Sequence, residues 1–303
     1  MKIVSLLPSA TEIVCELGLE DQLVGVSSDC DYPPEVCNKP AISISTLPVD
    51  AGTQPGHIDE QVRTKLSESE PLYRLDRALI RELQPDLILA QDLCRVCAVP
   101  SGHVTEALET IGCRSDVISL DPHSLDEVID GIDRVAHAAA VNERGHRVIA
   151  ELRARVAEVT KRASGLSRVP TLALEWADPP FSGGHWIPEM VNAAGGRDVL
   201  GIERAPSRTC TWSEIAAAAP EVIVFMPCGY GLDDALEQAV ALNHVPEFAS
   251  TPAARQDRVW AVDGSAFFSR PGPRLVDGLE MLAWVLHPES FPEPPQGRVR
   301  RVN

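Results

Sequence analysis

Short apolar runs alternate along the chain with amphipathic stretches of helical spacing. Residues 2–5 and 23–27 read as strands. Between them Pro8 and Ser9 open a helix whose apolar positions Ile13, Val14 and Leu17 recur at helical spacing, with Gly18 as its stop. Residues 28–73 are rich in Pro, Ser, Thr and Asp and read as loops with at most short helices. The pattern then gives a helix over 75–83 stopped by Pro85, a strand over 86–90, a helix over 102–111 ended by Gly112 and a strand over 116–120. Strand and helix in alternation imply an α/β fold with mainly parallel sheets and helices on their faces.

Residues 124–163 keep helical periodicity through Val128, Ile132, Val135, Ala139, Val148, Leu152 and Val156, without a Pro, and predict one long helix kinked near Gly145. After it come strands over 171–175, 222–226 and 259–262 and helices over 188–194, 213–219, 232–242 and 274–286. The segment Leu83-Gln84-Pro85-Asp86-Leu87-Ile88-Leu89 has a counterpart in Ala218-Ala219-Pro220-Glu221-Val222-Ile223-Val224: helix end, Pro, acid, β run. The expectation is an N-terminal α/β lobe over 1–121, a backbone helix over 122–165 and a C-terminal α/β lobe over 166–303 with a loosely held Pro-rich tail. A cleft between such lobes is the default ligand site.

Charge narrows the partners. With 27 Lys and Arg against 44 Asp and Glu the net charge is −17, and the one basic cluster, 298–301, is short, so nucleic acid and anionic membrane surfaces are excluded as partners. No apolar run reaches the roughly 18 residues of a membrane span. The start, MKIVSLLPSATEIVCELG, shows no secretory leader, which gives a cytoplasmic expectation, with a periplasmic or other extracytoplasmic place as the alternative if a leader has been removed. Eight cysteines in a chain of 303 residues are read as thiols or metal ligands before disulfides.

Trp176-Ala177-Asp178-Pro179-Pro180-Phe181-Ser182-Gly183-Gly184-His185 is similar to the Pro-Pro-Phe-Ser/Thr-Gly loop of the B12 binders. Together with residues 5–12 (SLLPSATE), 85–89 and 191–196 (VNAAGG), it makes nearly the whole chain resemble the substrate-binding proteins of vitamin B12 and iron-chelate ABC importers. That resemblance implies two α/β lobes joined by a backbone helix, cobalamin or a related corrinoid as ligand, and a transporter permease as partner. A ferric siderophore or haem is the alternative ligand. The docking Glu that the resemblance implies on each lobe falls here at Ala78 and Ser213, with Asp76 and Glu214 near but off register.

A flat corrin edged with amides calls for aromatic faces and a few polar groups. The ligand-binding candidates are Ser9, Trp176, Asp178, Phe181, His185, Trp186 and Phe268, with Trp212 and Phe267 behind them. Each aromatic has a core reading beside this one, and Ser9 is also the natural N-cap of the first helix. The metal candidates are His185, His103, Cys94 and Cys97. The Cys94-x-x-Cys97 spacing suits one metal ion, with Cys30, Cys37, His57 and His103 as further ligands, or a disulfide such as Cys30 to Cys97. Cys15, Cys113, Cys210 and Cys228 read as small core residues. Glu175, Asp178 and His185, or Cys94 with His103, admit a metal- or thiol-dependent hydrolase. No nucleophile elbow, His-Glu-x-x-His or phosphate loop supports it, and no catalytic residue is assigned.

Overall fold

The computed structural model describes residues 1–47, 55–68, 70–93 and 98–302. The chain divides into two compact units, Met1–Pro122 with Ile129–Ala150, and His123–Val128 with Glu151–Asn303.

In the first unit the strands are β1 (Ile3–Ser5), β2 (Leu23–Ser27), β3 (Ala41–Ser45), β4 (Tyr73–Leu75), β5 (Leu87–Ala90) and β6 (Asp116–Ser119), and the helices α1 (Pro8–Glu16), α2 (Pro55–Ser67), α3 (Arg77–Leu83) and α4 (Ser101–Ile111). The sheet order is β4-β3-β2-β1-β5-β6. Every neighbouring pair is parallel except β3 with β4. Strands β1 and β5 are buried along their whole length, as expected of parallel strands covered on both faces. Val4, Leu6, Ile42, Ile80, Ile88 and Val104 share one apolar cluster here, each such side chain contributing roughly 1.5–3 kcal/mol of burial. The loop expectation for 28–73 is corrected by β3, α2 and the start of β4. Helix α2 buries no residue, and its three apolar side chains four apart, Ile58, Val62 and Leu66, stand in an otherwise polar segment.

The single long helix over 124–163 is also corrected. It is two helices, α5 (Leu125–Ala138) and α6 (Asn142–Ala163). The chain turns at Ala140, which has φ of 55°, with the Ala140 N–H donating to His137 O at 3.0 Å and the Val141 N–H to Ala136 O at 2.8 Å. That pair of bonds is a Schellman stop built on alanine instead of glycine. Gly145 does not kink a helix. An added Cβ there would lie 2.5 Å from the Ala136 side chain, so its bareness lets the start of α6 lie against α5.

The second unit holds β7 (Val169–Ala177), β8 (Pro180–Ser182), β9 (Gly196–Asp198), β10 (Arg208–Thr209), β11 (Val222–Phe225), β12 (Val259–Val262) and β13 (Val299–Arg301). Its helices are α7 (Ile187–Ala193), α8 (Trp212–Ala218), α9 (Leu232–Ala241), α10 (Pro246–Ala249), α11 (Pro252–Arg255), α12 (Gly264–Phe267) and α13 (Leu275–Leu286). The order is β10-β8-β7-β11-β12-β13, with β9 pairing the first residues of β7. The central pairs β7/β11 and β11/β12 are parallel, and the pairs β7/β8, β8/β10 and β12/β13 are antiparallel. Phe225, Phe248, Leu172 and Ile223 lie in one core cluster. The tail is not loosely held. It ends in β13, Arg298 binds Asp277 at 3.0 Å, and Val302 is buried.

Candidate ligand-binding site

In the second unit β7 and β11 run parallel, so both deliver their ends to one edge of the sheet, the side at which open α/β sheets bind ligands. Glu175 and Trp176 lie at the end of β7, and Tyr230 follows β11. The Trp176 and Tyr230 rings lie 5.7 Å apart, tilted by 48°. The indole Nε1–H donates to the Asp178 carbonyl at 3.0 Å, across the turn into β8, which holds the ring in place. Phe181 on β8 is the antiparallel partner of Trp176, so the two side chains share a face of the hairpin. Trp176, Phe181 and Tyr230 are each only half-buried.

Behind the aromatics, the Glu175 carboxylate accepts the Ser207 hydroxyl and the Gly184 N–H, the latter at 3.3 Å. Burial pushes the Glu175 carboxyl up to about 7, against the opposing pull of the Ser207 hydrogen bond. It joins the loop after β8 to the loop before β10. The same loops are joined by the His185 N–H on Ala205 O at 2.6 Å and the Arg204 N–H on His185 O at 2.9 Å. Gly184 permits this approach, since a Cβ there would stand 2.1 Å from the Ser207 backbone N. His185 is held at φ 51° with its ring 5.5 Å from Trp186 and 5.8 Å from His123. Burial, then the neighbouring His123, lowers its pKa, which keeps the imidazole neutral at neutral pH.

Several expected site residues have other roles here. Trp186 is 5% exposed and donates its Nε1–H to Phe268 O at 2.9 Å, and Phe268 is 1% exposed. Both belong to the core and offer no face to a ligand. Trp212 packs edge-on against Phe248, and Phe267 is buried under the guanidinium of Arg298. The Asp178 side chain is exposed at the hairpin turn. Ser9 is not an N-cap. Helix α1 starts at Pro8 with Leu7 as its cap, because a proline loses nothing at a first-turn position whose N–H has no partner, and Ser9 is buried one residue further in.

Among the metal candidates, Cys94 and Cys97 lie outside the described residues. His103 is exposed on α4 and borders a cavity of about 520 Å³ with Tyr73, Leu75 and Arg77 in the first unit. Cys30 Sγ lies 3.1 Å from Thr11 Oγ1. Among the described residues no group of three or more His, Cys, Asp or Glu is placed to hold a metal ion. Cys113 and Cys210 are buried as expected, and burial raises the Cys15 thiol to about 11. Cys228 corrects its core reading, being exposed. The off-register acids have local work. Asp76 caps α3 by accepting the Leu79 N–H at 2.9 Å, and Glu214 closes a capping box with Thr211 at the start of α8. The main-chain N–H of Thr211 lowers the Glu214 pKa.

Sequence reasoning passed over Tyr230, Ser207 and His123. Tyr230 had a signal, an aromatic in the Gly-flanked stretch Cys228-Gly229-Tyr230-Gly231 directly after a strand. Ser207 and His123 had none, because only tertiary contacts bring them to Glu175 and His185.

A family model described as "Periplasmic binding protein" matches residues 3–266. The chain belongs to the periplasmic binding protein family. Over 297 residues it is 27% identical to the vitamin B12-binding protein of Vibrio cholerae, covering 94% of this chain and 88% of that one. It is 24% identical to an uncharacterized ABC transporter substrate-binding lipoprotein of Bacillus subtilis, over 96% of this chain and 82% of that one. Among solved structures, the periplasmic heme-binding protein RhuT from Roseiflexus sp. RS-1 superposes with a TM-score of 0.70 at 25% identity, covering 95% of this chain and 98% of that one. A periplasmic binding protein of this kind is the substrate-binding part of an ABC importer, and binding, not turnover, is its activity. The hydrolase alternative falls with that assignment.

Proposed function

We propose that this periplasmic binding protein takes a corrinoid of the vitamin B12 class and hands it to an ABC permease. The carrying observation is the half-buried aromatic group Trp176, Phe181 and Tyr230 at one end of the second sheet, apolar ring surface with backbone polar groups close by, which suits a macrocycle edged with amides. The B12-binding relative supports the same class of ligand. Haem is the second reading, favoured by the RhuT likeness. It presents carboxylates that require cations, and two arginines of this region, Arg204 and Arg208, already face Glu127 and Glu214. The periplasmic and lipoprotein relatives favour the extracytoplasmic alternative over the cytoplasmic expectation.

Titration of the purified protein with cyanocobalamin, hydroxocobalamin and haem, read by calorimetry and visible absorbance, tests the ligand. Saturable corrinoid binding that Trp176→Ala weakens is the expected result. Haem binding alone, or no binding of any of them, overturns the corrinoid reading.

A further inference from the structure

Glu175 ties three loops of the second unit to one strand end. Its carboxylate accepts the Gly184 N–H at 3.3 Å, from the loop after β8, and the Ser207 hydroxyl, from the loop before β10. Its main-chain carbonyl accepts the Cys228 N–H at 3.3 Å, from the loop after β11 that carries Tyr230. The next residue along β7 is Trp176, whose ring lies 5.7 Å from that of Tyr230. The geometry points to Glu175 as the positioning residue of the aromatic group, a carboxyl that sets Trp176 against Tyr230 by holding these loops, and that holds them fully only while it carries its proton.

Ionisation works against this arrangement, because a carboxylate kept from water favours any movement that rehydrates it. The Ser207 hydroxyl and the Gly184 N–H favour the charged form, while the Cys228 thiol after β11 and the Asp198 carboxyl at the end of β9 oppose it. Burial outweighs the two hydrogen bonds and the acid keeps its proton up to about pH 7. A macrocycle seated on Trp176 and Tyr230 removes more water from the strand end, so binding favours the protonated acid and takes up a proton wherever the free protein is ionised. Affinity therefore falls as pH rises through about 7. This effect on affinity rests on the corrinoid reading above, and the effect on the two rings does not.

Two measurements on the full chain test it. The first is near-UV circular dichroism of the free protein against pH. We expect a change in the wild type with a midpoint near pH 7. It should vanish in Trp176→Phe, which removes the indole that reports it, and in Glu175→Gln, a neutral mimic of the protonated acid. In Ser207→Ala, which loses the hydrogen bond that favours the charged form, the midpoint should move upward. The second is calorimetric titration with cyanocobalamin in two buffers of different ionisation heat. Wild type should take up a proton on binding above about pH 7 and bind about tenfold more weakly at about pH 8 than at about pH 6, and Glu175→Gln should do neither. A dichroism that does not change in the wild type, or a change that Glu175→Gln leaves in place, overturns the positioning role. Corrinoid binding without proton uptake overturns the link to affinity. The expected dichroism change without binding of cyanocobalamin or haem overturns the corrinoid reading and leaves the positioning role standing. If Glu175→Gln fails to fold, the direction of the midpoint shift in Ser207→Ala decides the positioning role.

Discussion

The helix–Pro–strand segments α3–β5 and α8–β11 have nearly the same backbone and end in different chemistry. Each helix runs for seven residues and ends on a left-handed residue, Gln84 at φ 48° and ψ 64°, Ala219 at φ 48° and ψ 56°. Each then passes through Pro and an acid into a fully buried strand of four residues. Beyond β5 the chain closes a polar network in which Asp92 accepts the hydroxyls of Ser101 and Ser119, and Gln91 donates to Leu120 O at 3.0 Å. Beyond β11 comes Tyr230, paired with Trp176. The repeated segment fixes where a strand ends, and the residues after it decide whether polar side chains or half-buried aromatic rings stand there.

The comparison breaks hardest at glycine. At Gly184 an added Cβ meets the backbone of Ser207 at 2.1 Å and Pro206 at 2.6 Å, whereas at Gly25 on β2 it meets side chains, Ile42 at 2.5 Å and Leu83 at 3.5 Å. A side chain can rotate and a hydrogen-bonded loop cannot. Gly184→Ala should lose about 3 kcal/mol and Gly25→Ala about half as much, measured as shifts of the urea midpoint at constant m-value.

Next in size is Glu175, the acid behind the aromatics. Glu175 has a folded-state pKa of about 7, above the ordinary 4.5, so the fold holds its proton more tightly than the unfolded chain does. Its favourable contribution is therefore complete below the unfolded value, and stability falls as pH rises from there to about 7. The rise from 4.5 to about 7, at ~1.4 kcal/mol for each pH unit, makes that loss about 3 kcal/mol. Glu175→Gln should flatten the fall between about pH 5 and pH 8 in urea titrations. Asp198, which burial raises to about 6, leaves a shallower slope in both proteins. An unchanged slope in Glu175→Gln would remove Glu175 from the account.

Trp176→Ala should weaken corrinoid binding about 10- to 100-fold, or ~1.4–2.7 kcal/mol, and calorimetry reads it. His103→Ala on the first unit should leave stability within about 0.5 kcal/mol, because its side chain is exposed.

The smallest effects sharpen the repeat itself. Removing the side chain of a left-handed residue relieves ~1–2 kcal/mol and returns ~0.4–1 kcal/mol to the unfolded chain. Ala219→Gly should thus stabilise by about 0.5–1 kcal/mol. Gln84→Gly should gain less, because it also loses the side-chain bonds to Arg81 O at 2.8 Å and Cys113 Sγ at 2.9 Å. Thermal unfolding of the two variants side by side decides this.

Much of the fold was legible in local signals. Leu23–Ser27 and Val259–Val262 stand where the apolar runs place them, because each is a mostly apolar segment buried at all but one position. Helices that stop at Gly18 and Gly112 were readable because glycine takes the left-handed conformation without cost. The same stop at Ala140 was invisible, since alanine is the best helix former and nothing local favours a turn there. Contact between Gly145 and Ala136 decided it. Helix α2 and strand β13 were missed for the complementary reason, as polar segments whose place is set by what they pair with.

At the candidate site the sequence by itself determined the supply of chemistry: aromatics, an acid, a histidine and glycines on the hairpin of residues 175–185, and the family to which that hairpin belongs. Tertiary structure decided which of them stay exposed. Trp176 and Trp186 are the same residue type ten positions apart on one stretch of chain. One lies half-exposed on a strand end, held by a turn carbonyl, and the other is sealed under Phe268. Burial is a property of everything packed around a side chain, and the sequence around a tryptophan records only its two neighbours along the chain.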